Sequence, residues 1–216
     1  MKELTLVVAT KNYSSWSLRP YLALAHTGQP FREVVVPLGA PDTATTIAKY
    51  SPSGRVPALL HGELVIWDSL AICEYLAELF PQARLWPEDA AVRAVARSVT
   101  AEMHSSFAAL RNNMPMNLRA RRPGEGMAPG VAEDISRITS LWRECRSRHG
   151  QGGPFLFGAF SIADAFYAPV VTRFVTYGVE LDAVCGAYRD AVLALPTLKT
   201  WTQAALGEPP LARYEK

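Results

Sequence analysis

Ser14, Ser15 and Ser17 put three hydroxyls directly after the apolar run Leu4 to Ala9 and before Leu18, Tyr21, Leu22, Leu24 and Ala25, which recur at helical spacing. That order predicts a strand, a short polar loop and a helix start. Serine is a preferred helix cap. The unsatisfied N–H groups and partial positive charge of a helix N-terminus favour an anion or a thiolate. Hydroxyls at such a point therefore have two uses: they cap the helix, or they donate hydrogen bonds to the anion. Pro20 is expected in the first turn, where its missing N–H removes no intrahelical bond.

The composition bounds the chemistry. The chain of 216 residues is 49% hydrophobic and 19% charged, enough to bury a sizeable core in one large domain or two modest ones. A net charge of +2 gives no reason to expect nucleic acid, so an anion site must be local. Cys73, Cys145 and Cys185 are odd in number and widely spaced, which argues against a disulfide framework and against zinc. No metal is expected, and a reducing, cytoplasmic setting fits best. The apolar run after Met1 is too short for a signal-peptide core, and no segment is long and apolar enough to span a bilayer. The protein is expected inside the cell and off the membrane.

The elements that must position the serines follow in order. Gly28-Gln29-Pro30 ends the first helix, and Phe31 to Val36 is a second β-rich run, giving a βαβ unit with a parallel pair. A weak helix over Asp42 to Tyr50 leads to the turn cluster Ser51-Pro52-Ser53-Gly54. Val56 to Leu60 and Leu64 to Trp67 form a hairpin across His61-Gly62, and Asp68-Ser69 caps a helix that Pro81 closes. Pro57 opens a strand where no donor is needed. Beyond a linker the pattern is helical: one long helix over Asp89 to Arg111, a mobile connection over Arg119 to Gly130, a second helix from Val131, and a third begun by the capping-box pair Ser161 and Asp164. Shorter helices and a loosely packed tail, Glu208 to Lys216, complete the chain.

Three motifs carry a resemblance. Ser14-Ser15-Trp16-Ser17-Leu18-Arg19, Ser51-Pro52-Ser53-Gly54-Arg55-Val56-Pro57-Ala58-Leu59 and Asp68-Ser69-Leu70-Ala71-Ile72-Cys73-Glu74-Tyr75-Leu76 resemble, in order and spacing, the thioredoxin-like half of cytosolic glutathione S-transferases, closest to the zeta-like serine type. The Ser161/Asp164 box resembles the start of that family's buried central helix. The resemblance implies α/β plus all-α architecture: a thioredoxin-like glutathione-binding domain over 1–81, a linker over 82–88 and a helical domain over 89–216 that supplies the electrophile pocket.

It also implies roles. Ser14 matches the catalytic serine that stabilises the glutathione thiolate, with Ser15 a close second and Tyr13 a third candidate. Val56 and a cis Pro57 hold the cysteinyl part, Asp68 and Ser69 the γ-glutamyl end, and Arg55 the glycyl carboxylate, while Arg19 lies in the matching motif. Tyr13, Trp16, Arg111, Asn112, Met114 and Arg173 are the expected substrate wall. Two departures stand out. Trp16 replaces the usual cysteine, and Arg173 falls one turn before the arginine of zeta-like isomerases, whose place Thr176 takes. The expected function is conjugation of glutathione, as co-substrate, to a small electrophile by a homodimer. The alternatives are cis-trans isomerisation of the maleylacetoacetate type and a non-catalytic binding protein on the same fold.

Overall fold

A computed structural model describes residues 2–215; Met1, Lys216 and the side chain of Arg213 lie outside the description. The first half is built on β1 (Leu4–Ala9), whose six residues are all buried. β1 pairs in parallel with β2 (Arg32–Val36) and antiparallel with β3 (Ala58–His61), and β3 pairs antiparallel with β4 (Leu64–Trp67), giving the order β2-β1-β3-β4. A strand so apolar must be covered on both faces. On one face lie α1 (Ser15–His26) and α3 (Ser69–Leu79), while Ile47 of α2 (Thr43–Ala48) packs with Val7, Val36 and Ala58 on the other. The Val56–Pro57 bond is cis, as the resemblance implied.

One detail corrects the sequence reading of this half. Ser14 caps α1, so the helix starts early and Pro20 lies inside it rather than in its first turn. Its ring therefore removes one intrahelical bond, and the residue is buried.

The second half contains α4 (Ala90–Ser105), α5 (Ala108–Asn113), α6 (Val131–His149), α7 (Ile162–Tyr177), α8 (Ala183–Ala194) and α9 (Pro196–Leu206). The expected single helix to Arg111 is split because Phe107 adopts a left-handed conformation (φ 64°), turning the chain while its ring stays in the core. Apolar periodicity continues across the break, so spacing alone does not reveal it. The connection 119–130, expected to be mobile, is tied to the end of α7: Arg122 N donates to Thr176 O at 2.6 Å and Gly124 N to Tyr177 O at 3.0 Å. The tail is docked rather than loose through Glu215; Lys216 is outside the described residues.

α7 is the buried axis. The Asp164 carboxylate accepts the Ser161 amide at 2.8 Å, the Ser161 hydroxyl at 2.9 Å and the Leu156 amide at 3.0 Å. One hydrophobic core runs through both halves, joining Leu18 and Leu22 of α1 and Ile72 of α3 to Phe166 and Val170 of α7. Among the described residues no helix is long and apolar enough to cross a membrane.

Candidate active site

β1 delivers the chain at Ala9, and residues 10–14 turn on the Thr10 carbonyl, which accepts the amides of Tyr13 (3.2 Å) and Ser14 (3.0 Å). Ser14 is the helix cap: its Oγ accepts the Ser17 amide at 3.4 Å and donates to Ser17 Oγ at 2.8 Å. Ser17 Oγ also accepts the Ala9 amide at 3.1 Å, locking the helix start to the strand end. Ser17, one of the three hydroxyls that the sequence offers at the helix start, serves this lock. Ser15 turns toward the second half, where its Oγ accepts a guanidinium N–H of Arg173 at 3.1 Å; Arg173 Nε donates to the Met114 carbonyl at 2.9 Å.

Beside this helix end lies a groove of about 210 Å³ lined by Trp16, Ser53, Arg55, Val56, Pro57, Asp68 and Ser69, so the three sequence motifs meet in one cavity. Asp68 caps α3, its Oδ1 accepting Leu70 N at 2.8 Å and Ala71 N at 3.4 Å, with the backbone held at φ 73°. Strain at a non-glycine residue is a feature of functional sites. Its other oxygen lies 3.4 Å from His104 Nε2, a partner no sequence signal pointed to. Burial lowers the His104 pKa, against the pull of Asp68. Ser69 lines the groove and is buried, and its hydroxyl has no protein partner.

The arginines are arranged differently from the expectation. Arg19 is fully buried behind Trp16, its guanidinium 4.3 Å from that ring and 4.7 Å from Phe166, and none of its three side-chain nitrogens has a hydrogen-bond partner. It is absent from the groove lining. Burial, with Arg111 and Arg173 nearby, lowers its pKa. Arg111 spends its donors on the carbonyls of Met103, His104 and Ser106 at the end of α4, and its guanidinium lies 5.0 Å from the Trp16 ring. Burial, reinforced by Arg111, brings Arg173 down to about 9. The three guanidiniums thus give a cationic backing to Trp16 and Ser15, with Arg19 and Arg173 buried and Arg111 half-buried.

Other expected wall residues are divided. Met114 is buried, and Asn112 is exposed on α5 outside the groove lining. Tyr13 faces the tail: its hydroxyl donates to the Glu215 carboxylate and accepts from Arg119 at 3.0 Å and from the Leu211 amide at 3.0 Å. All three cysteines are free and buried, and burial pushes each thiol pKa up, so the described residues supply no protein thiolate.

A mixed four-stranded sheet with a cis proline and a serine-capped helix, closed by a helical half, defines the class: a thioredoxin-like scaffold joined to an all-helical domain. Comparison with known proteins agrees. The family model for the glutathione S-transferase N-terminal domain matches residues 13–79, and that for the C-terminal domain matches residues 93–204. A zeta-class glutathione S-transferase of Euphorbia esula is 32% identical, the match covering 76% of this chain and 73% of that protein. The maleylacetoacetate isomerase of Rattus norvegicus is 30% identical over 78% of each chain. A glutathione transferase homologue from Burkholderia, solved with bound glutathione, superposes with a TM-score of 0.70 at 24% identity, covering 96% of this chain and all of that one, and shows the shared fold. The chain belongs to the glutathione S-transferase family.

Proposed function

We propose that this protein activates the thiol of glutathione for attack on a small electrophile, and that Ser14 is the hydroxyl that stabilises the thiolate. The observation that carries the reading is the groove in which Trp16 of α1, the cis-Pro57 loop and the α3 terminus converge beside the Ser14 cap, with the buried Ser69 hydroxyl unpartnered next to Asp68. Glutathione supplies the nucleophilic sulfur. Asp68 receives the γ-glutamyl ammonium, Ser69 Oγ donates to the neighbouring carboxylate, the Val56 backbone holds the cysteinyl part, and exposed Arg55 meets the glycyl carboxylate. Lowering a thiol from about 8.5 to roughly 6–7 requires about 2–3.4 kcal/mol. One hydrogen bond to a charged group contributes about 1.5–3 kcal/mol, and the helix terminus about 0.3–1 kcal/mol. Ser14 Oγ, already accepting the Ser17 amide, turns its proton from Ser17 to the thiolate, the thiol proton having gone to solvent. The sulfur lone pair forms the new bond to carbon as a leaving group departs with its bonding pair or, in an addition, as the π pair moves to the neighbouring atom and takes a proton from solvent.

The experiment is glutathione titration calorimetry with ultraviolet thiolate absorbance, on wild type and Ser14→Ala. Wild type is expected to bind and form thiolate at neutral pH. The variant should bind comparably, lose the thiolate signal and lose about 10²-fold in kcat/KM. A wild type that binds no glutathione would sink the reading in favour of a binding protein without this chemistry.

A second reading, glutathione-dependent cis-trans isomerisation of an acidic electrophile, is favoured by the cationic backing of Arg19, Arg111 and Arg173. Against it, Thr176 is turned to the carbonyls of Asn117 and Thr172. The same assay run with carboxylate-bearing and neutral electrophiles separates the two. For the assembly we divide the chain at 82–88 and propose a homodimer, supported by Leu64 and Trp67 of β4 and Val95 of α4, which are exposed large apolar residues. A cytoplasmic detoxification role accords with three unpaired cysteines.

A further inference from the structure

The loop that carries Ser14 is completed from the far end of the chain. The amides of Lys11 and Asn12 donate to the two oxygens of a single carboxylate, Glu208 Oε1 at 2.7 Å and Oε2 at 2.9 Å. Other polar atoms of Lys11 and Asn12 are also held from outside the first half. Trp201 Nε1 donates to the Lys11 carbonyl at 3.1 Å, and Leu118 N to the Asn12 carbonyl at 3.4 Å. The fully buried Asn12 side chain donates to Asn117 Oδ1 at 2.8 Å and accepts the Arg119 amide at 3.2 Å. Arg119 in turn reaches both the Glu208 carbonyl and the Tyr13 hydroxyl, and the Tyr13 ring stacks on Tyr214 at 4.8 Å.

We infer that Glu208 is a positioning residue for thiolate formation: it clamps two successive backbone amides just ahead of Ser14 and so fixes where the Ser14 hydroxyl points. Two N–H bonds to one carboxylate form a rigid, charge-assisted fork. α9 ends at Leu206, and Pro209 and Pro210, which cannot continue a helix, leave Glu208 just beyond its end. Without the fork the loop has two buried-side amides to satisfy elsewhere and rotates about the Thr10 turn. A hydroxyl moved by a fraction of an ångström no longer meets the sulfur, while the groove residues that bind the rest of glutathione stay in place. The effect is therefore expected in kcat and in the thiol, not in KM.

The proposal rests on the glutathione reading above, and the sign of one measurement distinguishes position from charge. Glu208→Gln keeps the size of the side chain, but its amide oxygen accepts from one N–H while its NH2 group opposes the other. If Glu208 positions the loop, the bound-glutathione thiol pKa, followed by ultraviolet absorbance against pH, rises by about 1 in Glu208→Gln and in Glu208→Ala. The same variants should lose about 10-fold in kcat with KM for glutathione within about threefold. If Glu208 acted only as a nearby negative charge, its removal would lower the thiol pKa, and that outcome overturns the proposal, as does an unchanged pKa. Hydrogen exchange read at Lys11 and Asn12 needs no glutathione: it should quicken about 10-fold or more in Glu208→Gln, and unchanged protection overturns the clamp itself. Should Glu208→Ala fail to fold, Glu208→Gln carries both readouts. A wild type that binds glutathione but forms no thiolate overturns the transferase reading, and this proposal with it.

Discussion

Ser69 separates binding from folding at the scale of one atom. Its hydroxyl is buried without a partner in the free protein, so its loss removes no protein hydrogen bond. Ser69→Ala is expected to leave the melting temperature unchanged while weakening glutathione binding about 10-fold, the loss of one hydrogen bond to a charged group. Calorimetry reads this directly, and an unaltered affinity would place the γ-glutamyl carboxylate elsewhere. Ser14 is the opposite case, a cap whose removal also costs about 1 kcal/mol of stability. These residues were legible because their chemistry is written in contiguous motifs: a hydroxyl run after a strand, Arg55-Val56-Pro57, and Asp68-Ser69. Arg19 was legible as a motif residue but not in its place, since a buried, unpartnered guanidinium leaves no mark in local sequence. His104 and Glu208 gave no signal at all, for each meets the site from an element distant in sequence.

At the scale of elements, the start of α7 is both a structural cap and a titrating group. Burial pushes the Asp164 carboxyl from 3.8 up to about 6, and its three donors keep it from rising further. A carboxyl whose folded pKa lies above its unfolded one binds protons more readily in the native state. Its stabilising contribution is full below about 3.8 and is lost as pH rises through about 6, a span of about 3 kcal/mol. In urea unfolding, wild type should gain on Asp164→Asn as pH is lowered from about 7.5 to about 4.5. A difference independent of pH would mean that Asp164 stays ionised throughout. The capping-box spacing made this helix start readable from sequence. The division of α4 from α5 at Phe107 was not, because the turn depends on one residue taking a left-handed backbone conformation while the apolar pattern runs on unbroken.

At the scale of the molecule, the two halves do not have separate interiors. α1 packs against both α3 and α7, and a single core extends from Leu6 in the sheet to Trp201 in α9. Calorimetric unfolding is therefore expected as one transition with a ratio of calorimetric to van't Hoff enthalpy of about 1; two resolved transitions would show that the shared core is too weak to couple the halves. Sequence reading recovered the order of the halves, but it treated the last residues as loose, because a charged, proline-containing tail has no apolar period to announce where it docks. That docking has a bearing on synthesis. The carboxylate that holds the Lys11 and Asn12 amides is synthesised 197 and 196 positions after them. A nascent chain can pair its strands and cap its first helix as it emerges. It cannot finish the serine loop until Glu208 has been released, so products terminated before that residue carry every residue of the serine motif without the arrangement that orients it.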